Sequence, residues 1–379
     1  RGCAGGKGQP SPSPFDFPVR LHPPAPDALM ARQTRLHEFR LIEQLRRTFG
    51  RTGPGVVRGI GDDAAVITPA RGRQLVLTTD LLAEGVHFDL RTASLEDIGY
   101  KAAVANISDI AAMGARPEYA LVSIALPVSY TAQHVLRLYR GMMGACRPHG
   151  VTLIGGDTSA SRRGLFLSLT VTGSIPAGTA LMRTGARAGD LLYVTGTLGD
   201  ALAGLTLLSD SRRRRAARSL TSSERQFLII RHHRPAAQAR LGQALSAHRL
   251  ASAAIDLSDG LSGDLHHLCE QSRVGAEIDA ASLPLSPALR AYARSSDTDP
   301  LALALQGGED YELLLTVPQT KQRALHRVAR HQGRQLTCIG MIRPPSFGVR
   351  VRETSGRVRR LPVTSYVHFR DVASERSPW

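Results

Sequence analysis

Apolar residues in this chain fall into two rhythms that take turns. In TRLHEFRLIEQLRRTFG, Leu36, Phe39, Leu41, Ile42 and Leu45 mark one helical face, and Gly50 is a natural stop. QLVLTTD then reads as a buried strand ending in polar residues. SLEDIGYKAAVANISDIAAMG has helical length, a Ser94–Asp97 capping pair at its start and Gly114 at its end. Strand YALVSIAL, helix TAQHVLRLYRGMMGACRPHG and strands VTLIGGD and LFLSLTVTGSI follow. After RTGARAGD the alternation resumes with strand DLLYVTG, helix LGDALAGLTLLS and two further helical stretches to about residue 249. Strand AAIDL, helix SDGLSGDLHHLCEQS, strands AEID and YELLLTV, a helix near 319–332 and strand LTCIGMI complete the pattern. Strands alternating with helices in both halves predict an α/β protein of layered α+β type.

The chain's 379 residues suit two domains better than one, since single cores rarely grow past about 250–300 residues. Residues 1–33 are crowded with Gly, Pro and Ser, show no periodicity and lack a long apolar run, so they read as a disordered leader rather than a signal peptide. The Pro- and Gly-bearing stretch Ile175–Gly178 is the best boundary. It gives an N-terminal domain over 34–176, a C-terminal α/β domain over 177–372 and a tail over 373–379. No stretch approaches the roughly 18 apolar residues that a membrane span needs. Cys3, Cys146, Cys269 and Cys338 lie far apart without a C-x-x-C pair, which disfavours zinc and disulfide scaffolds and fits a reducing cytoplasm.

A net charge of +16 raises the question of nucleic acid. Of the 48 basic residues all but Lys7, Lys101 and Lys321 are arginine, a lopsidedness that looks like a compositional bias rather than a phosphate-binding face. The densest run, Arg212–Arg215, has no interleaved aromatics to stack on bases, and reads as a solvated helix end or loop.

The acidic residues carry more information. They recur beside Gly, Ser or Thr at strand ends: Asp62-Asp63, Thr78-Thr79-Asp80, Ser108-Asp109, Gly155-Gly156-Asp157, Asp256-Leu257-Ser258-Asp259-Gly260 and Gly307-Gly308-Glu309-Asp310. Any one of these is ordinarily a turn. Six together, several after apolar runs, place carboxylates at the mouth of a buried sheet, where like charges repel and burial disfavours ionisation. Hard divalent cations resolve that conflict, because Mg²⁺ prefers carboxylate oxygens together with substrate phosphate and water. Glycine beside the acids lets backbone N–H groups approach a phosphate. The pattern thus points to a nucleotide site with several Mg²⁺ ions. The P-loop, the protein-kinase signatures, the G-x-S-x-G elbow and H-E-x-x-H are all missing from the sequence.

Taken in order, GIGDDAAVI, TTDLLAEGVHF, DIGYKAAVANISDIAAMGARP, LIGGDTS, LMRTGARAGDLLYVTGTLGDALAGL, AIDLSDGLSGDL and GGEDYEL resemble the thiamine-monophosphate kinase family. That family belongs to an ATP-binding superfamily shared with aminoimidazole ribonucleotide synthetase and selenophosphate synthetase. The similarity spans about Glu38 to Phe369. The resemblance implies two aminoimidazole ribonucleotide synthetase-like α/β domains with the ATP site between them, and a homodimer formed through the first domain. It implies transfer of the ATP γ-phosphoryl group to thiamine monophosphate, without a general base. Carried over position by position, it assigns Asp63, Thr78, Thr79, Asp80, Asp109, Asp157, Asp256 and Asp259 as magnesium ligands. ATP contacts are Tyr139, Gly156, Asp157, Arg183 and Ser258, and substrate contacts His87, Glu309 and Tyr366.

Beside this reading, Lys101 and Asn106 are candidates for a site or supporting role, since Asn106 and Asp109 are spaced to share a helical face. Asp62, Asp200 and Asp310 read as supporting residues or caps, Cys146 and Cys269 as packing thiols, and His266-His267 as an exposed helix face. A sister enzyme using ATP on another substrate, of the selenophosphate or aminoimidazole ribonucleotide synthetase kind, is the alternative. A basic nucleic-acid-binding protein is disfavoured, because acids at a groove mouth would repel a phosphate backbone. No specific nucleic-acid or membrane partner is expected.

Overall fold

The computed structural model describes residues 38–50, 53–58, 60 and 65–366; the expected leader and tail, and Asp63, lie outside them. The first half runs α1 (Glu38–Phe49), β1 (Val56–Arg58), β2 (Val66–Ile67), β3 (Arg73–Ala83), α2 (Leu95–Ala112), β4 (Arg116–Pro127), α3 (Ala132–Cys146), β5 (Thr152–Ser161) and β6 (Phe166–Pro176). The second continues with β7 (Leu191–Thr195), α4 (Asp200–Ser209), α5 (Ser211–Ala216), α6 (Ser222–His233), α7 (Ala239–Ala247), β8 (Ala253–Asp256), α8 (Leu261–Ser272) and β9 (Gly275–Asp279). It ends with α9 (Pro287–Ser296), α10 (Pro300–Gln306), β10 (Leu313–Val317), α11 (Gln322–His331), β11 (Leu336–Arg343), β12 (Val349–Arg352) and β13 (Val358–Arg360). Among the described residues no helix is long and apolar enough to cross a membrane. The arginine run falls in α5, whose N-terminus is capped by Asp210 accepting from the Arg212 and Arg213 amides.

Two sheets organise these elements. The first has the order β3-β6-β4-β5, antiparallel except for the β4–β5 pair. The second has the order β13-β12-β9-β11-β7-β10-β8, antiparallel except for β12–β9. Alternation of strand and helix along the chain therefore does not produce parallel sheets. On β3 the strand period of two puts Val76, Thr78, Asp80 and Leu82 on the more buried face. Leu75, Leu77 and Leu81 stand on the opposite face and are each at least half exposed.

Helix α2 is the centre of the molecule. Fourteen of its eighteen residues are buried, including Lys101, Asn106 and Ser108, because β3 and β6 pack on one side and α7 and β8 on others. Ser94 caps it by accepting from the Asp97 amide. Its crossing with α3 is closed by two glycines that face each other's backbone. A Cβ on Gly99 would lie 2.0 Å from the Leu138 carbonyl oxygen, and one on Gly141 1.8 Å from that of Glu96. Gly141→Ala is therefore expected to destabilise the protein by at least about 1–3 kcal/mol through overpacking. Gly144→Ala, one turn on, would meet only Tyr100 Cδ2 at 3.8 Å and is expected to be neutral or stabilising by up to about 1 kcal/mol. Equilibrium denaturant unfolding of the two variants checks both.

Candidate functional site

Carboxylates from three distant parts of the chain come together against α2. Strand β3 supplies Thr78 and Asp80 on its buried face, α2 supplies Ser108 and Asp109, and the end of β8 supplies Asp256. The Thr78 hydroxyl donates to Asp109 Oδ2 at 2.5 Å, and the Ser108 hydroxyl donates to Asp256 Oδ2 at 2.7 Å. Burial, with the Asp109 charge beside it, raises the Asp80 pKa to about 6. Burial together with Asp109 raises Asp256 further, to about 7, against the pull of Ser108 and Arg183. Asp109 is raised by burial, while the Thr78 hydroxyl and the nearby Arg183 oppose the rise. These are carboxylates short of positive charge.

The donor set suits Mg²⁺. It is made of hard oxygens, and its ionisation is disfavoured until a cation arrives. Among the described residues no three His, Cys, Asp or Glu side chains close around a point that could hold an ion by themselves. An open set of this kind leaves positions for water and phosphate oxygens, as Mg²⁺ requires.

The remaining expected residues divide. Asp259 lies in the loop after β8, and its charge helps raise Asp264, which is buried at the start of α8 and also feels Asp256. Tyr366 is drawn to the same loop, its amide donating to the Asp259 carbonyl at 3.2 Å, with its side chain 45% exposed. The Ser258 carbonyl accepts from the Glu309 amide at 2.7 Å. Gly156 runs so close to β4 that a Cβ would lie 1.9 Å from the Val122 oxygen, and Asp157 is exposed on β5. His87 occupies the turn after β3, where its Nδ1 accepts from the Ala83 amide at 3.1 Å.

Two residues fall elsewhere. Three consecutive strand residues cannot share a face, and the Thr79 side chain turns away from Asp80, donating to the Leu169 carbonyl at 3.0 Å; only its main chain is left to serve a cation on the Asp80 side. Tyr139 is 3% exposed in the core of the first half, stacked on Phe49 with ring centroids 5.7 Å apart.

Glu309 stands at a second focus. The segment 307–312 sends successive side chains in different directions, and Glu309 and Tyr311 both adopt left-handed backbone, φ 64° and 51°. Asp310 points inward to accept from the Gly199 and Ala201 amides at 2.6 and 3.2 Å, a cap for α4. Glu312 meets the Thr195 hydroxyl, Gln238 and Arg231 at 2.5, 2.8 and 3.1 Å. Glu309 is held by Lys101 Nζ at 2.9 Å to each carboxylate oxygen, with His232 alongside. Burial opposes its ionisation, yet Lys101 and His232 hold its carboxyl well below the usual range. Sequence reasoning overlooked Arg231, His232, Glu312 and Asp264. The signal available was the acidic run Glu309-Asp310-Glu312, which requires buried cations somewhere in the chain.

Comparison with known proteins gives the family. Residues 61–175 match the model for the AIR synthase related protein, N-terminal domain, and residues 187–351 that for the AIR synthase related protein, C-terminal domain. The chain is 38% identical over 306 residues to the thiamine-monophosphate kinase of Haemophilus influenzae, covering 80% of this chain and 89% of that one. The crystal structure of the enzyme so named from Stenotrophomonas maltophilia is 39% identical and superposes with a TM-score of 0.73, over 84% of this chain and 98% of that one. The structure of AaThiL complexed with AMPPCP and TMP is 33% identical with a TM-score of 0.68, over 88% and 97%. With two AIR synthase-type domains and relatives of this identity along most of its length, the chain belongs to the thiamine-monophosphate kinase family.

Proposed function

We propose that this protein transfers the γ-phosphoryl group of ATP to thiamine monophosphate, giving thiamine diphosphate and ADP. The observation that carries the reading is the convergence of Asp80, Asp109 and Asp256 in a chain 33% identical to AaThiL, whose structure holds AMPPCP and TMP. A phosphate monoester is already anionic near neutral pH, since its second pKa is about 6, so the acceptor oxygen needs no general base. That oxygen attacks the γ-phosphorus in line, the bond to the bridging oxygen breaks, and its electrons leave with ADP; no protein atom takes the phosphoryl group. Both reactants are negative, so positioning and charge neutralisation are what the site has to provide. Asp80, Asp109 and Asp256, with Asp63, Asp157 and Asp259 as further candidate donors, would hold Mg²⁺, which would supply that neutralisation. Arg183, near Asp109 and Asp256, contributes the protein's own positive charge toward the phosphates. Gly156 and Ser258 offer backbone and hydroxyl contacts to the nucleotide, while His87, Glu309 and Tyr366 face the acceptor.

We further propose a homodimer through the open face of the β3-β6-β4-β5 sheet. Leu75, Leu77 and Leu81 on β3, Leu121 on β4 and Phe166 on β6 form an apolar row that the single chain leaves in water.

Three outcomes are expected. ADP is formed with thiamine monophosphate but not with thiamine or without acceptor, and Asp80→Ala lowers kcat at least about a hundredfold; coupled ADP detection with mass identification of the product decides it. Because Asp80 and Asp256 titrate near 6 and 7, Mg²⁺ binding to the free protein releases about one proton at pH 6.5 and almost none at pH 8.5. Calorimetry in buffers of different ionisation enthalpy reads that release. Light scattering is expected to show a dimer that Leu77→Asp converts to monomer.

A further inference from the structure

We propose that Lys101, backed by His232, is a positioning residue that fixes the Glu309 carboxylate at the acceptor end of the site and touches neither substrate. This deepens the functional reading above and rests on it.

Lys101 projects from α2 and is 4% exposed. Its Nζ lies 2.9 Å from Glu309 Oε1, 2.9 Å from Oε2 and 3.3 Å from His232 Nε2. An ammonium group has three protons and no acceptor, so three partners use it up. No proton remains for a phosphate or a substrate ring. His232 packs against the same pair: burial and Lys101 lower its pKa, its Nε2 is 3.3 Å from Lys101 Nζ, and its Nδ1 is 3.2 Å from Glu309 Oε2 without forming a hydrogen bond to it. Glu309 is the member of the trio that keeps an outward surface, with 28% of its side chain exposed.

The main chain of Glu309 is fixed independently. Its left-handed φ is held by the Glu309 amide on the Ser258 carbonyl and by the Tyr311 amide on that of Leu257, at 2.7 and 2.9 Å. A side chain at Gly308 would strike the Ser258 oxygen at 2.6 Å. These bonds set where the residue sits, and Lys101 sets where its carboxylate points. Lys101 and Ser108 are seven residues apart on one rigid helix, which separates the Glu309 anchor from the acidic cluster by about 10 Å along the axis. That spacing suits an acceptor with a phosphate at one end and a cationic heterocycle at the other. Arginine is a poor replacement despite its dominance in this chain, because a planar fork of five donors cannot meet two carboxylate oxygens and one ring nitrogen in a sealed space without leaving donors unpaired.

The test is steady-state kinetics of the full chain and of Lys101→Met, Lys101→Arg, Glu309→Gln and the double variant Lys101→Met/Glu309→Gln, with thiamine monophosphate and ATP varied separately and unfolding midpoints measured in parallel. Lys101→Met is expected to raise KM for thiamine monophosphate at least about tenfold while KM for ATP stays within about twofold. The double variant is expected to be no worse than Glu309→Gln alone, since the lysine acts through that carboxylate. Lys101→Arg keeps the buried charge compensated and is expected to show the same selective rise in KM. Additive losses, equal rises for both substrates, or wild-type kinetics in Lys101→Arg overturn the inference while leaving the functional reading standing. A wild-type protein that neither binds nor phosphorylates thiamine monophosphate overturns both.

Discussion

A helix buried on every side has no solvent face on which to place polar groups. Helix α2 comes close to that position, with fourteen of its eighteen residues buried, and it carries Lys101, Asn106 and Ser108 at buried positions and Asp109 at a partly exposed one. Leaving a charge unpaired at such depth costs several kcal/mol, so the groups that carry or face charge are answered from other parts of the fold, while Asn106 donates to the Ala102 carbonyl of its own helix. Thr78 answers Asp109, Asp256 is the partner of Ser108, and Glu309 is the partner of Lys101. The partners come from β3, from the end of β8 and from the segment before β10, and together with α2 they make up both foci of the site. Asp80, Asp109 and Asp256 remain short of positive charge and are raised by burial and by one another.

The segment 307–312 shows the same rule at smaller scale. Three of its residues are acids, and each has a different answer: a lysine for Glu309, helix-start amides for Asp310, and Arg231 with two neutral donors for Glu312. Arg231 also lies 3.8 Å from Asp200, so one guanidinium serves several buried carboxylates. Two left-handed residues in three are costly for side chains with a Cβ, and they persist because every neighbouring group is already committed. The result is a stiff bracket from which the Glu309 carboxylate emerges.

How much of this the sequence revealed depends on the range of the interaction. Strand ends rich in acid and glycine were readable, since charge beside an apolar run is a local signal, and α2 was readable from its cap at Ser94 and its stop at Gly114. Helices α9 and α10 were not anticipated, being short, although Ser286-Pro287 and Asp299-Pro300 are cap-and-proline starts and Leu289, Tyr292 and Ala293 form an apolar stripe on α9. Thr79 was grouped with its neighbours because a motif read as a string ignores the alternation of a strand. Tyr139 was assigned to a nucleotide by position in a motif, whereas its aromatic bulk packs the core. Lys101 stood out by rarity alone. Its partners, 131 and 208 residues away, leave no trace in local periodicity.

Those separations also bear on how the protein is made. Ser108 waits 148 residues for Asp256, and Lys101 waits 208 for Glu309. A nascent chain emerging from the ribosome completes α2 long before any of these partners exists, although α3, β3 and β6 of the first half already pack against it. Contacts of such long range form late, after the loop-closure entropy has been met. The pairings of Lys101 and Ser108 therefore close only when the second half arrives.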